Sequence, residues 1–116
     1  MSFRDNIEKL TVKNNNFRKV LSTTQNMQLA VMSLKAGEEI GLETHPHTSQ
    51  FIRVEAGRCK AIIGSKNYYL KDGDAIIVPP NKPHNIINTG ESNLKLYTIY
   101  TPPEHLDALV QKFKDD

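Results

Sequence analysis

The sequence predicts an all-β sandwich or barrel with a short helix at its C-terminal end. Three observations carry that expectation. Short runs rich in β-branched and aromatic residues recur along most of the chain. Turn-forming residues interrupt them about every 8–12 residues. One apolar pattern of helical period, Leu106, Leu109, Val110 and Phe113, closes the sequence.

The elements follow in order. Residues 3–10 are mixed polar with Ile7 and Leu10, which suits a short helical turn. Asn14-Asn15-Asn16 is a turn. Strands are then expected near 17–23, 27–35, 41–46, 50–56, 58–64, 67–71, 74–78, 84–88 and 94–100. The breaks between them hold Gly37, Pro46, Gly57, Gly64-Ser65, Asp72-Gly73, Pro79-Pro80 and Gly90. Thr101-Pro102-Pro103-Glu104 reads as a helix start, with Thr as cap and Glu three residues on. The helix that follows is expected on the outside of the barrel.

Composition narrows the function classes. A chain of 116 residues suits one domain, 1–116, with one modest core. Fifteen basic and thirteen acidic residues leave a formal charge of +2, with no basic stripe, so no nucleic-acid partner is expected. No apolar run approaches the ~20 residues that span a bilayer, so no membrane partner is expected either. The first residues lack the apolar stretch of a secretory signal. Cys59 is the only cysteine and cannot form an internal disulfide. A cytoplasmic location is the expectation.

Two stretches share a spacing. In the first, at 37–57, five residues separate Gly37 from Glu43 and one separates Glu43 from His45. Four then separate His45 from Gln50, and six separate Gln50 from Gly57. In the second, at 73–88, the fixed positions are Gly73, Pro79, Asn81, His84 and Asn88. Glu43 and His45, two apart, share a face if the segment is extended. Gln50 has the opposite parity, so a bulge or corner must intervene, and Pro46 suits one. From Gln50 the same face continues as Ile52 and Val54, leaving Phe51, Arg53 and Glu55 outward.

This two-part spacing resembles the signature of the cupin superfamily, G(x)5HxH(x)3–4E(x)6G followed by G(x)5PxG(x)2H(x)3N. Glu43 stands where the first His is usual, Gln50 where the Glu is usual, and Asn81 where a Gly is usual. Asn tolerates positive φ better than other residues with a side chain, so the turn at 81 can survive. The resemblance implies a small β-barrel of the double-stranded β-helix or jelly-roll kind. It also implies a metal site at Glu43, His45, Gln50 and His84. The usual set of three His and one Glu carries one negative charge, and so does this one. Two imidazoles, one carboxylate and one amide oxygen suit a divalent transition metal such as Zn, Mn, Fe, Ni or Co.

Other residues carry less. His45-Pro46-His47 offers a rival register in which His47 is a ligand, but that register puts Phe51 or Ile52 where an acid belongs. His47 is expected on the rim, His105 at the surface or an interface, and Cys59 in the core. Tyr68, Tyr69, Tyr97 and Tyr100 are expected in sheet packing, with room for one to line the pocket.

The stretches Gly37-Glu38-Glu39-Ile40-Gly41, Gln50-Phe51-Ile52-Arg53-Val54 and Pro102-Pro103-Glu104-His105 are similar to those of small single-domain cupins labelled as similar to mannose-6-phosphate isomerase. That resemblance implies a metal-dependent enzyme on a small oxygen-rich molecule such as a sugar or sugar phosphate, with Glu43 able to serve as catalytic base. A cupin dioxygenase, a non-catalytic small-molecule or metal-binding barrel, and a barrel whose metal only ties strands together are the alternatives. Small cupins also imply a homodimer, with Phe51 and Arg53 placed to meet a second copy.

Overall fold

The computed structural model describes residues 2–116. A short helix α1 (Ile7–Lys13) leads into strands β1 (Arg18–Thr23), β2 (Gln28–Leu34), β3 (Ser49–Ala56), β4 (Arg58–Ile63), β5 (Lys66–Lys71), β6 (Ala75–Val78), β7 (His84–Asn88), β8 (Leu94–Thr101) and β9 (Val110–Gln111). They form two antiparallel sheets, one of order β6-β3-β8-β2-β1-β9 and one of order β5-β4-β7. This is a jelly-roll barrel, as the sequence implied.

Strand alternation decides what lies inside. Along β3, Gln50, Ile52 and Val54 are buried while Phe51, Arg53 and Glu55 are half-exposed. Register carries that face across the large sheet: Ile52 pairs with Thr98 and Thr98 with Ala30; Val54 pairs with Leu96 and Leu96 with Met32. Ile86, Ala61 and Cys59 close the core from the small sheet. Truncating a fully buried member such as Ile52 to Ala is expected to cost about 2–5 kcal/mol. One row at the end of the barrel is different. There Gln28 pairs with Tyr100, Tyr100 with Gln50, and Gln50 with Val78, so the inner face turns polar.

Helix α1 is capped by Asn6, whose Oδ1 accepts from Lys9 N at 2.9 Å. It packs on the outer side of β2 and β8. The Asn14–Asn16 turn forms as expected, and Lys95 Nζ reaches in to bond Asn14 O and Asn15 Oδ1.

Two positions in the spaced stretches have plain backbone reasons. Gly57 has φ +94°, and a Cβ there would stand 3.2 Å from Asn93 O and Leu94 Cα. Asn81 has φ +64°, the conformation expected of the Gly it replaces. Asn88, at the end of the second stretch, is structural. Its amide donates to Leu34 O and Ser92 O and its Oδ1 accepts from Gly90 N, which holds the turn after β7.

Two elements differ from the sequence expectation. Residues 41–46 form no strand; isolated bridges at Glu39–Ile87, just before them, and at Glu43–His84 stand in place of a continuous ladder to β7. Gly41 has φ +106° and its N–H is taken by the Asn85 side chain at 2.8 Å, so the ladder is broken there. The C-terminal helix is absent as well. Glu104 and His105 give their N–H groups to Gln28 Oε1, Val20 N bonds Leu109 O, and Ala108 sits at φ +60°. Those contacts hold residues 102–116 as a strap across the barrel. Of the helical-period set only Leu109 packs against the core; Leu106, Val110 and Phe113 are exposed.

Candidate metal centre

The cage is assembled from three places at one end of the barrel. Glu43 and His45 come from the irregular segment before β3, Gln50 from the start of β3, and His84 from the first residue of β7. Paired backbone bonds of 2.9 Å between Glu43 and His84 fix the first against the last. The bend at 79–83 docks through Asn81 N on His45 O at 2.7 Å. Ligating atoms of Glu43, His45 and His84 lie within 4.8 Å of one another. His45 Nε2 is 3.7 Å from Glu43 Oε1, and the two imidazole centroids are 5.1 Å apart.

Hydrogen bonds set which atoms are left over. A carbonyl or a carboxylate can only accept. His84 Nδ1 therefore donates to Lys82 O at 2.8 Å, and His45 Nδ1 donates to Glu104 Oε1 at 2.7 Å. Both rings then present an Nε2 lone pair. Gln50 Nε2 donates to Thr98 Oγ1 at 3.0 Å, which leaves its Oε1 turned the other way. His45 Nε2, His84 Nε2 and Gln50 Oε1 are all buried and none has a partner. Leaving three acceptors unpaired in one place is costly, and such groups are normally satisfied. A divalent ion would satisfy the two imidazole nitrogens together with the half-exposed Glu43 carboxylate, and the orphaned Gln50 Oε1 is a further candidate donor. The residues present fit a metal.

Glu104 was missed as a site residue by sequence reasoning, which read it as the acid three residues after a Thr101 helix cap. It holds His45 in the ligating tautomer, the usual part played by a carboxylate behind a metal-bound His. Gln28 in turn positions Glu104. It is fully buried, accepts from Glu104 N and His105 N, and donates to His105 O and Thr23 Oγ1. No spacing rule links residue 28 to residue 104, so only the β-register and the strap reveal the pair.

His47 is exposed and lies outside the cluster. His105, expected at the surface or an interface, is half-buried. Its ring stands edge-on against Tyr100 at 5.0 Å, and burial together with Arg18 and His45 lowers its pKa to about 4. Tyr100 is the tyrosine that lines the interior; burial raises its pKa to about 12. Cys59 is 1% exposed, with its thiol pushed up to about 11 by burial and then by Asp74, so it is inert core.

The cupin-domain sequence pattern matches residues 30–100, more than half of the chain. The chain belongs to the cupin family. Within it, the uncharacterized protein YrkC of Bacillus subtilis is 44% identical over 117 residues, which cover 96% of this chain and 63% of YrkC. The crystal structure of BH2720 from Bacillus halodurans superposes with a TM-score of 0.97 at 41% identity, covering 99% of this chain and 92% of that one. More distantly, mannose-1-phosphate guanylyltransferase RfbM of Salmonella typhimurium is 26% identical over 80 residues, or 69% of this cupin and 17% of RfbM. The chain thus spans less than two thirds of the length of either curated relative. Among the described residues, no helix is long and apolar enough to cross a membrane.

Proposed function

We propose that Glu43, His45, Gln50 and His84 hold one divalent transition metal ion, and that the protein is a metal-dependent enzyme acting on a small oxygen-rich molecule. The observation that carries this reading is the set of three buried, unpartnered acceptors beside one carboxylate. A bound divalent ion supplies Lewis acidity and a template for two adjacent substrate oxygens.

The chain's own acid–base chemistry rests on Glu43. Glu104 is committed to His45, so Glu43 is the one carboxylate of the cage with access to solvent and no partner closer than 3.7 Å. A lone carboxylate suits an isomerisation. It takes a proton from the hydroxyl-bearing carbon beside a carbonyl and returns it to the former carbonyl carbon, while the hydroxyl proton passes to the former carbonyl oxygen directly or through water. The similarity to RfbM, named for a mannose phosphate, supports a sugar or sugar phosphate as the substrate class. Aldose and ketose phosphates incubated with manganese- or zinc-loaded protein in deuterated water test this. Deuterium entering the carbon next to the carbonyl, and lost in Glu43→Gln, is the expected result. Binding without exchange would leave a non-catalytic barrel, and oxygen uptake by the iron-loaded protein would point to a dioxygenase.

A twofold dimer through the outer face of β3, β6 and β8 completes the proposal. Phe51 and Tyr97 lie side by side there, ring centroids 6.1 Å apart, and Ile77 is 64% exposed. Sedimentation should show a species of twice the 13.1 kDa chain mass; a monomer alone at micromolar concentration would contradict it.

A further inference from the structure

Three polar groups inside the barrel play no part in the metal cage. Arg18, at the start of β1, is 5% exposed. Its Nη1 donates to Gln111 Oε1 at 2.7 Å, its guanidinium lies over the Phe17 ring at 5.3 Å, and its Nε is buried with no partner. The ion pairs among the described residues join His45 to Glu43 and Glu104, and Arg53 to Glu55, so Arg18 has no counter-ion. A buried cation without an anion is strongly disfavoured, because it has lost its water and gained no charge in return.

The other two groups lie beside it. The Tyr100 hydroxyl is fully buried and makes no hydrogen bond of ordinary geometry, although Arg18 and Thr98 are close to it. His105 Nε2 is likewise buried and unpartnered, and Arg18 acts on its ring electrostatically. Tyr100 links this group to the cage, since its ring also stands edge-on to His45 at 6.1 Å. A guanidinium N–H, a phenol O–H and an imidazole N–H can all donate to one anion.

We propose that Arg18, Tyr100 and His105 form a subsite for the carboxylate group of a small molecule whose other oxygens face Glu43, His45, Gln50 and His84. The second half of this statement rests on the metal reading above; recognition of the anion by Arg18 does not. Charge favours a monoanion. With a divalent ion in place, the ion and Arg18 exceed Glu43 and Glu104 by a single positive charge, which one carboxylate neutralises. A phosphate dianion would overshoot, so within the oxygen-rich class this subsite selects a sugar acid or other hydroxy acid over the sugar phosphate named above. Among the described residues the one buried ammonium, Lys95, is tied to Asn14 and Asn15 on the far side of the sheet and cannot help hold one.

Calorimetric titration of the zinc-loaded protein with glycolate, a 2-hydroxy acid, tests the subsite. Ethylene glycol serves as the neutral counterpart and inorganic phosphate as the competing anion. Glycolate should bind most tightly of the three. Arg18→Met should weaken glycolate about 10- to 100-fold, as expected for loss of a charged hydrogen bond, while zinc affinity and ethylene glycol binding stay the same. Arg18→Lys should retain part of the affinity. If Arg18→Met does not fold, Tyr100→Phe removes one donor, and a several-fold loss of glycolate affinity is expected. Equal glycolate affinity in the wild type and the folded variants, or tighter binding of phosphate than of glycolate, would overturn the proposal. Should zinc fail to bind, the metal reading falls by itself. Acetate titrated into the metal-free protein then decides the subsite: Arg18-dependent binding upholds it, and none overturns it.

Discussion

The cage and the strap are built by opposite means. Glu43, His45, Gln50 and His84 stand on or beside strands of one barrel end, with Glu43 bridged to His84 and the turn at Asn81, φ +64°, docked on His45. The strap from Pro102 to Asp116 has almost no ladder of its own, only two residues of β9. It is held by borrowed partners: Gln28 for Glu104 and His105, Val20 for Leu109, and Phe17 for Lys112. Yet the strap delivers Glu104 to His45 and His105 to Tyr100. The rigid part offers the donors; the tethered part orients one of them.

That contrast can be broken at its tether. Gln28→Leu keeps the volume and removes four hydrogen bonds, two of them to N–H groups of the strap. A loss of about 3 kcal/mol in stability is expected, read from the urea midpoint. A loss below about 0.5 kcal/mol, the range of ordinary surface changes, would mean that the strap docks without Gln28.

A smaller effect separates orientation from docking. Glu104→Gln removes the carboxylate behind His45 and leaves the Gln28 contacts, which are made by backbone. Metal affinity should fall about 10- to 100-fold with little change in the stability of the metal-free protein. An unchanged affinity in competition with a chelator would show that the strap does not tune the cage.

The cage itself can be sharpened through Gln50. Gln50→Glu adds a second carboxylate to the set and should raise metal affinity, by about 10-fold or less because the new charge is also buried. No gain would place Gln50 outside the ion's reach.

A separate effect, on pH dependence, belongs to His105. Its folded pKa of about 4 lies below the ordinary value of 6.5. Between those values the unfolded chain takes up a proton that the folded one refuses. Stability of the metal-free protein therefore falls as pH drops from about 6.5 to about 4 and levels off below that. His105→Gln should flatten this part of the profile in thermal melts. Parallel profiles for the two proteins would remove His105 as the cause.

Legibility in the sequence follows the same divide. Strand β7, at 84–88, matches the sequence expectation, because Gly, Pro and Asn mark the turns and alternation marks the faces. The inward set Gln50, Ile52, Val54 follows from period two alone. The strap was misread because Leu106, Leu109, Val110 and Phe113 carry a helical period of which only Leu109 meets the core; the other three face solvent. Residues 41–46 were misread because one side chain, Asn85, takes the N–H of Gly41. Within the site, spacing pointed to Glu43, His45 and His84, which the structure brings together. Glu104, Arg18 and Gln28 were out of reach, since their contacts, such as Gln28–Glu104 and Arg18–Gln111, pair residues 76 and 93 positions apart.

The central claim is that one ion sits among Glu43, His45, Gln50 and His84. Metal analysis of protein purified without a histidine tag, alongside His45→Ala and His84→Ala, tests it most directly. The account predicts about one divalent transition metal per wild-type chain and close to none in either variant, with both variants still folded. Stoichiometric metal persisting in both variants would contradict it.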